Sequence, residues 1–306
     1  MRILHLTDTH LGVRQFVRGA PPRWTRAHDH HRAFAAALDP VRWGEVDLVV
    51  HTGDLFNRSS PPKAWARRAI ASLVETARQV PVVLIAGNHD RRGLRRHLPT
   101  EVPGLTVVDE PTRLIVGALA LALVPYRRRA QDWAAGARQA VGPGVDLLLC
   151  HQSFDGARVP GLTFRAGVQR ETVGAQHLPP GVRFVLCGHI HPRQVIELGG
   201  AVIVHPGSTE RTSFSERHQV KSVARWTLER QVLWHFEDLD TRPMVRVTGP
   251  DDLDAVVPEA LVQLPQASHT PELEHEVLKR GGWLWGAPPA APGPPPPRPA
   301  QLGLFV

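Results

Sequence analysis

The sequence is poor in cysteine and has no long apolar run, and both features narrow its class. Cys150 and Cys187 are the only cysteines among 306 residues, and each ends an apolar stretch, so we expect two small, buried strand residues. Two cysteines alone do not make a zinc site, and a reducing cytoplasm does not favour a disulfide. No run approaches the roughly 18 apolar residues that span a bilayer, and the N-terminal pattern is not that of a signal peptide. We therefore expect a cytoplasmic protein with no membrane partner.

The composition is that of a globular protein with a basic balance. Hydrophobic residues make up 42% of the chain and charged residues 21%, and the net charge of +7 corresponds to a sequence pI of about 10.5. A positive chain favours polyanionic partners, although charge alone does not identify one. Arg91 and Arg92 directly follow the segment "GNHD", which makes this pair the arginine cluster best placed to contact a substrate.

Short apolar runs alternate with helical patterns in the first part of the chain. Runs such as "VDLVVHTG" and "VPVVLIAGN" are nearly continuous, which is typical of strands buried on both faces. Helical patterns cover about 29–39, 62–79 and 131–140, and later stretches are strand-only. This order predicts an α/β fold of the four-layer α/β/β/α sandwich type, with two mixed sheets and a metal site at the strand ends.

The character of the sequence changes after residue 240. We assign residues 1–240 to one domain and residues 241–286, which contain one or two short helical patterns, to a reduced cap or C-terminal extension. Residues 287–300, "APPAAPGPPPPRPA", are typical of an extended proline-rich linker. Residues 301–306 form a separate tail with the sequence "QLGLFV".

Polar residues of the metal-ligand type follow five of the apolar runs. Asp8 and His10 are two positions apart, so they would share a face if the strand continued through them. Loops at one edge of a sheet are where α/β proteins gather ligands. The complete set is Asp8 and His10, Asp54, Asn88 with His89 and Asp90, His151, and His189 with His191.

Carboxylate and amide oxygens combined with imidazoles suit Mn²⁺, Fe or Zn²⁺. Two such ions that share a carboxylate can clamp the attacking and leaving oxygens of a phosphoryl displacement. The donor set therefore predicts two divalent ions, with Mn²⁺ the first choice and Mg²⁺, Fe and Zn²⁺ as alternatives.

The ordered blocks D-x-H, G-D, G-N-H-D, H and G-H-x-H, from residue 8 to residue 191, resemble those of the calcineurin-like metallophosphoesterase superfamily. The resemblance implies that Asp8, His10 and His191 hold one metal ion, that Asn88, His151 and His189 hold the other, and that Asp54 bridges them. It further implies that an activated water attacks phosphorus, that His89 stabilises the transition state or protonates the leaving oxygen, and that Asp90 orients His89.

Three local stretches resemble one branch of that superfamily, the SbcD-type DNA-repair nucleases. They are "ILHLTDTHLG", "GDLFNRSSPP" and "HPGSTERTSFSE", the last matching a P-G-S-x-x-R-x-x-F-x-E pattern. The resemblance covers about residues 1–245 and implies DNA as the substrate, in agreement with the basic balance. It makes Asn57, Arg91, Arg92 and Arg211 candidate substrate-binding residues and suggests a cytoplasmic, nucleoid-associated location.

The chain departs from this branch at two places. Asn57 stands where archaeal and eukaryotic relatives commonly carry a histidine, and an amide cannot transfer a proton, so exonuclease action is in question and endonuclease action less so. Residues 241–286 are too few for both a full cap and a segment that docks an SbcC-type ATPase, so that partnership stays open. The segment "RWTRAHDHHRAFAAAL" lies where relatives dimerise, which suggests a homodimer, and we expect His28–His31 at the surface or an interface.

The tail sequence "QLGLF" resembles the pentapeptide that tethers bacterial replication and repair proteins to the β sliding clamp. Gln301 would anchor it by hydrogen bonds, and Leu302, Leu304 and Phe305 would fill apolar pockets. Gly303 departs from the usual serine or aspartate. The alternative is an apolar segment that packs back on the domain.

These features together predict a two-metal phosphodiesterase that hydrolyses DNA, a repair endo- or exonuclease recruited to the sliding clamp. One alternative is a phosphodiesterase for nucleotides or cyclic nucleotides, which would be indifferent to DNA length. The other is an adaptor that grips DNA and the clamp with weak or no catalysis, for which a residue such as His89 would not be needed.

Overall fold

The structure is a computed structural model that describes residues 1–90, 94–98, 101–264 and 269–286. The chain forms two compact units. The larger consists of Met1–Arg14 and Thr25–Met244, and the smaller of Gln15–Trp24 and the residues from Val245 onward. The division at Met244 lies close to the expected boundary at residue 240, but Gln15–Trp24 belongs to the smaller unit, which the sequence pattern did not indicate.

Two six-stranded sheets form the centre of the larger unit. The first sheet contains β1 (Arg2–Leu6), β3 (Leu48–His51), β4 (Val82–Ile85), β5 (Leu105–Val108), β14 (Lys221–Leu228) and β15 (Val232–Leu239). Their order is β15-β14-β1-β3-β4-β5. Strands β1, β3, β4 and β5 are parallel, and β14 is antiparallel to both of its neighbours, so this sheet is mixed.

The second sheet is also mixed, with a parallel centre and antiparallel edges. It contains β6 (Thr112–Val116), β7 (Leu119–Val124), β8 (Leu147–His151), β11 (Phe184–Gly188), β12 (Gln194–Leu198) and β13 (Ala201–His205). Their order is β12-β13-β11-β8-β7-β6. The four central strands are parallel, and β6 and β12 pair antiparallel at the edges. A separate two-stranded ribbon consists of β9 (Arg158–Val159) and β10 (Leu162–Thr163).

Helices cover the outer faces of both sheets. Those of the larger unit are α1 (Arg26–Ala37), α2 (Asp39–Arg42), α3 (Lys63–Ala77), α4 (Leu94–His97) and α5 (Ala130–Ala140). In α3 the buried residues Ala66, Ala69, Leu73 and Ala77 recur every three to four positions, which places one apolar face against the first sheet. Helix α5 packs Trp133 on the second sheet in the same way. The predicted α/β/β/α sandwich is therefore confirmed.

The continuous apolar runs are explained by cores on both faces of each sheet. Leu48 and Val50 of β3 pack between the two sheets, whereas Val49 faces the helices beside the first sheet. In β8, Leu149 faces the core between the sheets and Cys150 the core beneath α5. Because neither face is exposed, no polar alternation interrupts these strands.

The smaller unit contains a four-stranded sheet and one α-helix. The strands are β2 (Val17–Arg18), β16 (Met244–Arg246), β17 (Leu261–Gln263) and β18 (Trp283–Trp285), in the order β16-β17-β18-β2, and the helix is α6 (Pro271–Lys279). Pairing of β2 with β18 is what assigns residues 15–24 to this unit. The helical pattern predicted after residue 240 is present, whereas the sheet was not predicted.

Candidate metal centre

The seven predicted metal ligands lie at the carboxyl ends of five strands. Strands β1, β3 and β4 are parallel neighbours in the first sheet, and β8 and β11 are parallel neighbours in the second. Because the carboxyl ends of parallel strands share an edge, the side chains that end or follow them are brought together. The seven are Asp8, His10, Asp54, Asn88, His151, His189 and His191.

Asp8, His10 and His191 form one ligand group. The Nε2 atoms of the two imidazoles are 3.1 Å apart, and each is 3.9 Å from Asp8 Oδ1. A carboxylate and two imidazole nitrogens at this spacing can bind a single divalent ion.

Asn88, His151 and His189 form a second group. Asn88 Oδ1 lies 3.0 Å from His151 Nε2 and 2.9 Å from His189 Nδ1. His189 therefore presents its Nδ1 atom to the centre, whereas His151 presents Nε2.

Asp54 lies between the two groups. Its Oδ2 atom is 3.9 Å from His10 Nε2 and 3.5 Å from His151 Nε2, so one carboxylate reaches a member of each group. Its Oδ1 atom accepts a hydrogen bond of 2.8 Å from the backbone N–H of His89. A carboxylate in this position could contact two ions at once.

The donor set fits two divalent ions. Asp8 Oδ1 is buried and has no hydrogen-bond partner among the described residues, which is costly unless a cation lies beside it. Two carboxylates, one amide oxygen and four imidazoles converge on the same edge, and hard divalent ions accept such a mixture.

Four of the predicted ligands have strained backbones. Asp8, His10, Asp54 and His189 have φ of 49°, 44°, 55° and 82°, in the left-handed region that non-glycine residues seldom adopt. Backbone hydrogen bonds hold the first two, from Asp8 N to Gly53 O (3.0 Å) and from His10 N to Asp54 O (3.1 Å). Strain of this kind persists where the surrounding structure fixes the residue, as it does at functional sites.

Glycine is required beside the ligands because of close approach. A Cβ on Gly87 would lie 2.2 Å from Asp54 Oδ1, and a Cβ on Gly188 would lie 2.2 Å from Thr7 Oγ1. Any side chain at either position would push a ligand strand away from its neighbour.

Burial and nearby charge separate the pKa values of the imidazoles. Burial lowers the pKa of His189 to about 3, which keeps its nitrogen free to bind a metal. Burial also disfavours a charged His151, but the Asp54 carboxylate outweighs it and raises the pKa of His151 to about 10. A metal ion must displace that proton, so metal binding is expected to release protons.

His89 stands beside this centre with an exposed ring. Its Nδ1 atom donates to the Asn57 carbonyl (2.9 Å), its Nε2 atom lies 3.9 Å from Asp54 Oδ2, and 43% of its side chain is exposed. Asp90 was expected to orient His89, and this expectation is corrected. The Asp90 carboxylate instead accepts from three backbone amides of the loops after β3 and β4, at Leu55 (3.0 Å), Phe56 (2.9 Å) and Gly87 (3.2 Å).

Glu216 was not predicted as a site residue, although it ends the P-G-S-x-x-R-x-x-F-x-E stretch. Its Oε1 atom accepts 2.8 Å from His191 Nδ1, and its Oε2 atom accepts 2.8 Å from the buried Lys221 Nζ. Burial opposes the charged carboxylate, but these two donors hold the pKa of Glu216 below its usual range. A partner of this kind fixes which imidazole nitrogen faces the metal and makes it a stronger ligand.

Glu216→Gln is expected to weaken Mn²⁺ binding by about 10- to 100-fold, because a neutral amide polarises His191 less than a carboxylate does. Calorimetric titration of the metal-free protein with Mn²⁺ measures this affinity. Glu210→Gln is the matched control, since Glu210 is also buried but accepts from the Arg211 amide. Equal Mn²⁺ affinity in wild type and Glu216→Gln would contradict the role given to Glu216.

The candidate substrate-binding residues have different outcomes. Arg211 was expected to contact substrate, but its guanidinium donates to the Gln219 carbonyl (3.2 Å), to Thr241 Oγ1 (2.7 Å) and to the Arg242 carbonyl (3.0 Å), which ties it to the fold. Asn57 contributes its carbonyl to His89, and its side chain is half-buried. The other predicted contacts lie outside the described residues: Arg91, Arg92, Gln301, Leu302, Leu304 and Phe305.

The histidine cluster at 28–31 was expected at the surface or an interface, but two of its residues are buried. His30 is buried and donates 2.9 Å from Nδ1 to the carbonyl of Thr9, the residue between Asp8 and His10. Asp29 is buried as well and accepts from Arg26 and Arg242. The expectation of a surface or interface position is therefore wrong for these two residues: His30 supports the loop after β1, and Asp29 pairs with two buried arginines.

None of the helices in the described ranges is long and apolar enough to cross a membrane.

Comparisons with known proteins agree with this centre. Residues 1–193 match the family model described as calcineurin-like phosphoesterase. The DNA double-strand break repair protein Mre11 of Thermoplasma acidophilum is 25% identical over 70% of this chain and 57% of its own length. The protein of the same name from Haloferax volcanii is 31% identical over 71% of this chain and 47% of its own length.

The chain thus spans about half the length of the curated relatives that it matches. Among solved structures, TT1561 of Thermus thermophilus is 14% identical, covers 77% of this chain and 98% of its own, and has a TM-score of 0.48. Since the family model covers most of the chain, including the residues of both ligand groups, the chain belongs to the calcineurin-like phosphoesterase family.

Proposed function

We propose that this protein is a metal-dependent DNA nuclease that acts in DNA repair, in the cytoplasm at the nucleoid. The observation that carries the proposal is the convergence of two ligand groups on Asp54, with the exposed His89 beside them. Similarity to archaeal Mre11 proteins favours DNA over other phosphodiesters. The net charge of +7 agrees with a phosphate-rich substrate.

The ligand groups account for the metal requirement. Asp8, His10 and His191 would hold one ion, Asn88, His151 and His189 the other, and Asp54 would contact both. When bound, two divalent ions supply Lewis acidity toward the phosphoryl oxygens and lower the pKa of water. We favour Mn²⁺ because mixed oxygen and imidazole donors suit it.

The chain's own contribution to the reaction is made by His89. Its Nδ1–H is held by the Asn57 carbonyl, so Nε2 is the nitrogen left to face a substrate. An imidazole in this position can donate a hydrogen bond to a phosphoryl oxygen or a proton to the leaving oxygen. Because the ring is exposed, a large substrate such as DNA can reach it, whereas it could not reach a buried histidine that binds a metal.

The test is hydrolysis with Mn²⁺ of labelled single-stranded, duplex and hairpin DNA, beside a small phosphodiester such as bis(p-nitrophenyl) phosphate. We expect DNA cleavage that is lost in His89→Ala, and the product lengths then separate exonuclease from endonuclease action. If the protein hydrolyses the small diester but leaves the DNA uncleaved, the proposal is overturned in favour of a nucleotide phosphodiesterase. DNA binding without cleavage by any preparation would favour an adaptor.

We further propose that the tail binds the β sliding clamp, on the basis of the sequence "QLGLF" alone. The full chain is expected to bind purified clamp, and the variant with Leu304→Ala and Phe305→Ala is expected to lose binding, because both apolar anchors are removed. Analytical gel filtration of the mixtures measures complex formation. Equal clamp binding by wild type and the double variant, or no binding by wild type, would overturn clamp recruitment. Either result would leave the nuclease proposal unchanged.

A further inference from the structure

A cleft adjoins the metal centre on the side of Asn88. It has a volume of about 990 Å³ and lies between the loop after β4, with Gly87 and Asn88, and the loop after β7, with Tyr126 and Arg127. Because Asn88 belongs to the second ligand group, the cleft opens directly onto the position expected for the reacting phosphate. Among the described residues that line the cleft, Asn88 is the only one that the sequence analysis named as a site residue.

Tyr126 forms an aromatic wall where the cleft meets the metal centre. Its ring centroid is 5.5 Å from that of His189, with an interplanar angle of 38°, and 6.3 Å from that of His151. Its backbone N–H donates to the Ala86 carbonyl (3.3 Å), which ties the loop after β7 to the loop after β4. The residue is half-buried, so part of the ring is accessible from the cleft. It is the only tyrosine in the sequence.

The charges around the cleft are largely paired. Glu110 accepts 2.5 Å from Arg127, and Asp109 accepts 2.8 Å from Arg95. Asp132 lies 3.7 Å from Arg129. Arg128 also lines the cleft, so the described lining is polar and carries charges of both signs. The carboxylate oxygens can accept hydrogen bonds from a base, and the guanidinium groups suit the phosphates on either side of it.

We propose that this cleft binds the unpaired base of a nucleotide adjacent to the scissile phosphate, stacked on Tyr126. The inference rests on the proposed function, since it assumes that a DNA phosphate occupies the metal centre. Stacking of a base on an aromatic ring tolerates any sequence, and the carboxylates at the rim can accept from exocyclic amines. A base held in a duplex must first leave its stack to enter, which costs free energy that an unpaired base does not have to spend. The protein is therefore expected to prefer single strands, loops and frayed ends.

The test compares Tyr126→Ala and Tyr126→Phe with wild type on a single-stranded oligonucleotide and on the same oligonucleotide with abasic residues. Fluorescence anisotropy with Ca²⁺ gives the affinity, and cleavage with Mn²⁺ gives kcat/KM. Loss of one stacked base is expected to lower affinity by about 5- to 150-fold in Tyr126→Ala. Tyr126→Phe keeps the ring and is expected to restore most of the binding. On abasic DNA, wild type and Tyr126→Ala are expected to be equal.

Two controls separate this role from simple support of the ligands. Mn²⁺ affinity is measured for every variant, because Tyr126 packs beside His189. Trp43→Ala removes an aromatic side chain that is 67% exposed and does not line the cleft. An equal loss on base-bearing and abasic DNA, or a loss explained by Mn²⁺ affinity, would overturn the base site. Base-dependent binding without any DNA cleavage would instead overturn the nuclease proposal and leave the base site standing.

Discussion

Asp54→Asn protein is expected to gain no stability from Mn²⁺, whereas wild type is expected to gain about 2.7 kcal/mol of unfolding free energy at a free metal concentration about a hundredfold above the dissociation constant. The reason is that Asp54 lies between both ligand groups, 3.9 Å from His10 Nε2 and 3.5 Å from His151 Nε2. A neutral amide there removes the one negative charge that both ions would share. Urea unfolding followed by circular dichroism, with Mn²⁺ or with a chelator, measures the difference.

The variant is chosen so that the metal-free fold survives. Asparagine tolerates the left-handed backbone of position 54, where φ is 55°, and its Oδ1 atom can still accept from the His89 amide. Asp47→Asn is the matched control, because Asp47 precedes β3 as Asp54 follows it and only pairs with Arg2 at the surface. That control is expected to lose at most about 1 kcal/mol and to keep the full response to Mn²⁺. A normal Mn²⁺ response in Asp54→Asn would contradict a bridging position.

The sandwich was predictable because its strands are buried on both faces. Runs such as "VDLLLCH" indicate a strand by their apolar length, and the polar residue that ends each run lies at the sheet edge by geometry alone. Asp54 follows β3 of the first sheet and His151 ends β8 of the second, and their side chains lie 3.5 Å apart although almost a hundred residues separate them. The local pattern indicates that each residue lies at a strand end, whereas the meeting of the two sheets at this point is set by their packing.

The hydrogen-bond partners that hold the site residues in place were not predictable in the same way. His89 is held by the carbonyl of Asn57 and His151 by the carbonyl of Thr52, and every residue type carries a carbonyl. Asp90 was assigned to His89 from the family resemblance, but its oxygens accept from backbone amides instead. Hydrogen bonds to the main chain cannot be predicted from residue type, because nearly every residue offers the same backbone groups.

The four-stranded sheet of the smaller unit was not predicted, for a different reason. Strands β16, β17 and β18 have three residues each, too few to show a period of two. Their neighbour β2 comes from Val17–Arg18, more than two hundred residues earlier in the chain. Pairing at that distance is set by tertiary packing, which outweighs local propensity in such short strands.

His89→Ala is expected to lower kcat for phosphodiester hydrolysis by about 10²- to 10⁴-fold and to leave Mn²⁺ affinity close to that of wild type. His89 belongs to neither of the two ligand groups described above. Of its side chain 43% is exposed, and its Nδ1 atom donates to the Asn57 carbonyl. Because the ring is accessible, added imidazole is expected to restore part of the lost rate. Steady-state hydrolysis with and without imidazole, and calorimetric Mn²⁺ titration, measure the two effects separately.

His97→Ala is the control that makes this result specific. His97 donates 2.9 Å from Nε2 to the Ser59 carbonyl, in the same loop after β3 that holds His89 through Asn57. If the loop merely needed a histidine to anchor it, both variants would lose activity to a similar extent and neither would respond to imidazole. Because Nε2 of His89 lies 3.9 Å from Asp54 Oδ2, a ligand role is the competing assignment, and a fall in Mn²⁺ affinity that parallels the fall in kcat would establish it. A large fall in kcat at constant Mn²⁺ affinity, confined to His89→Ala and relieved by imidazole, assigns His89 a role in the chemical step rather than in metal binding.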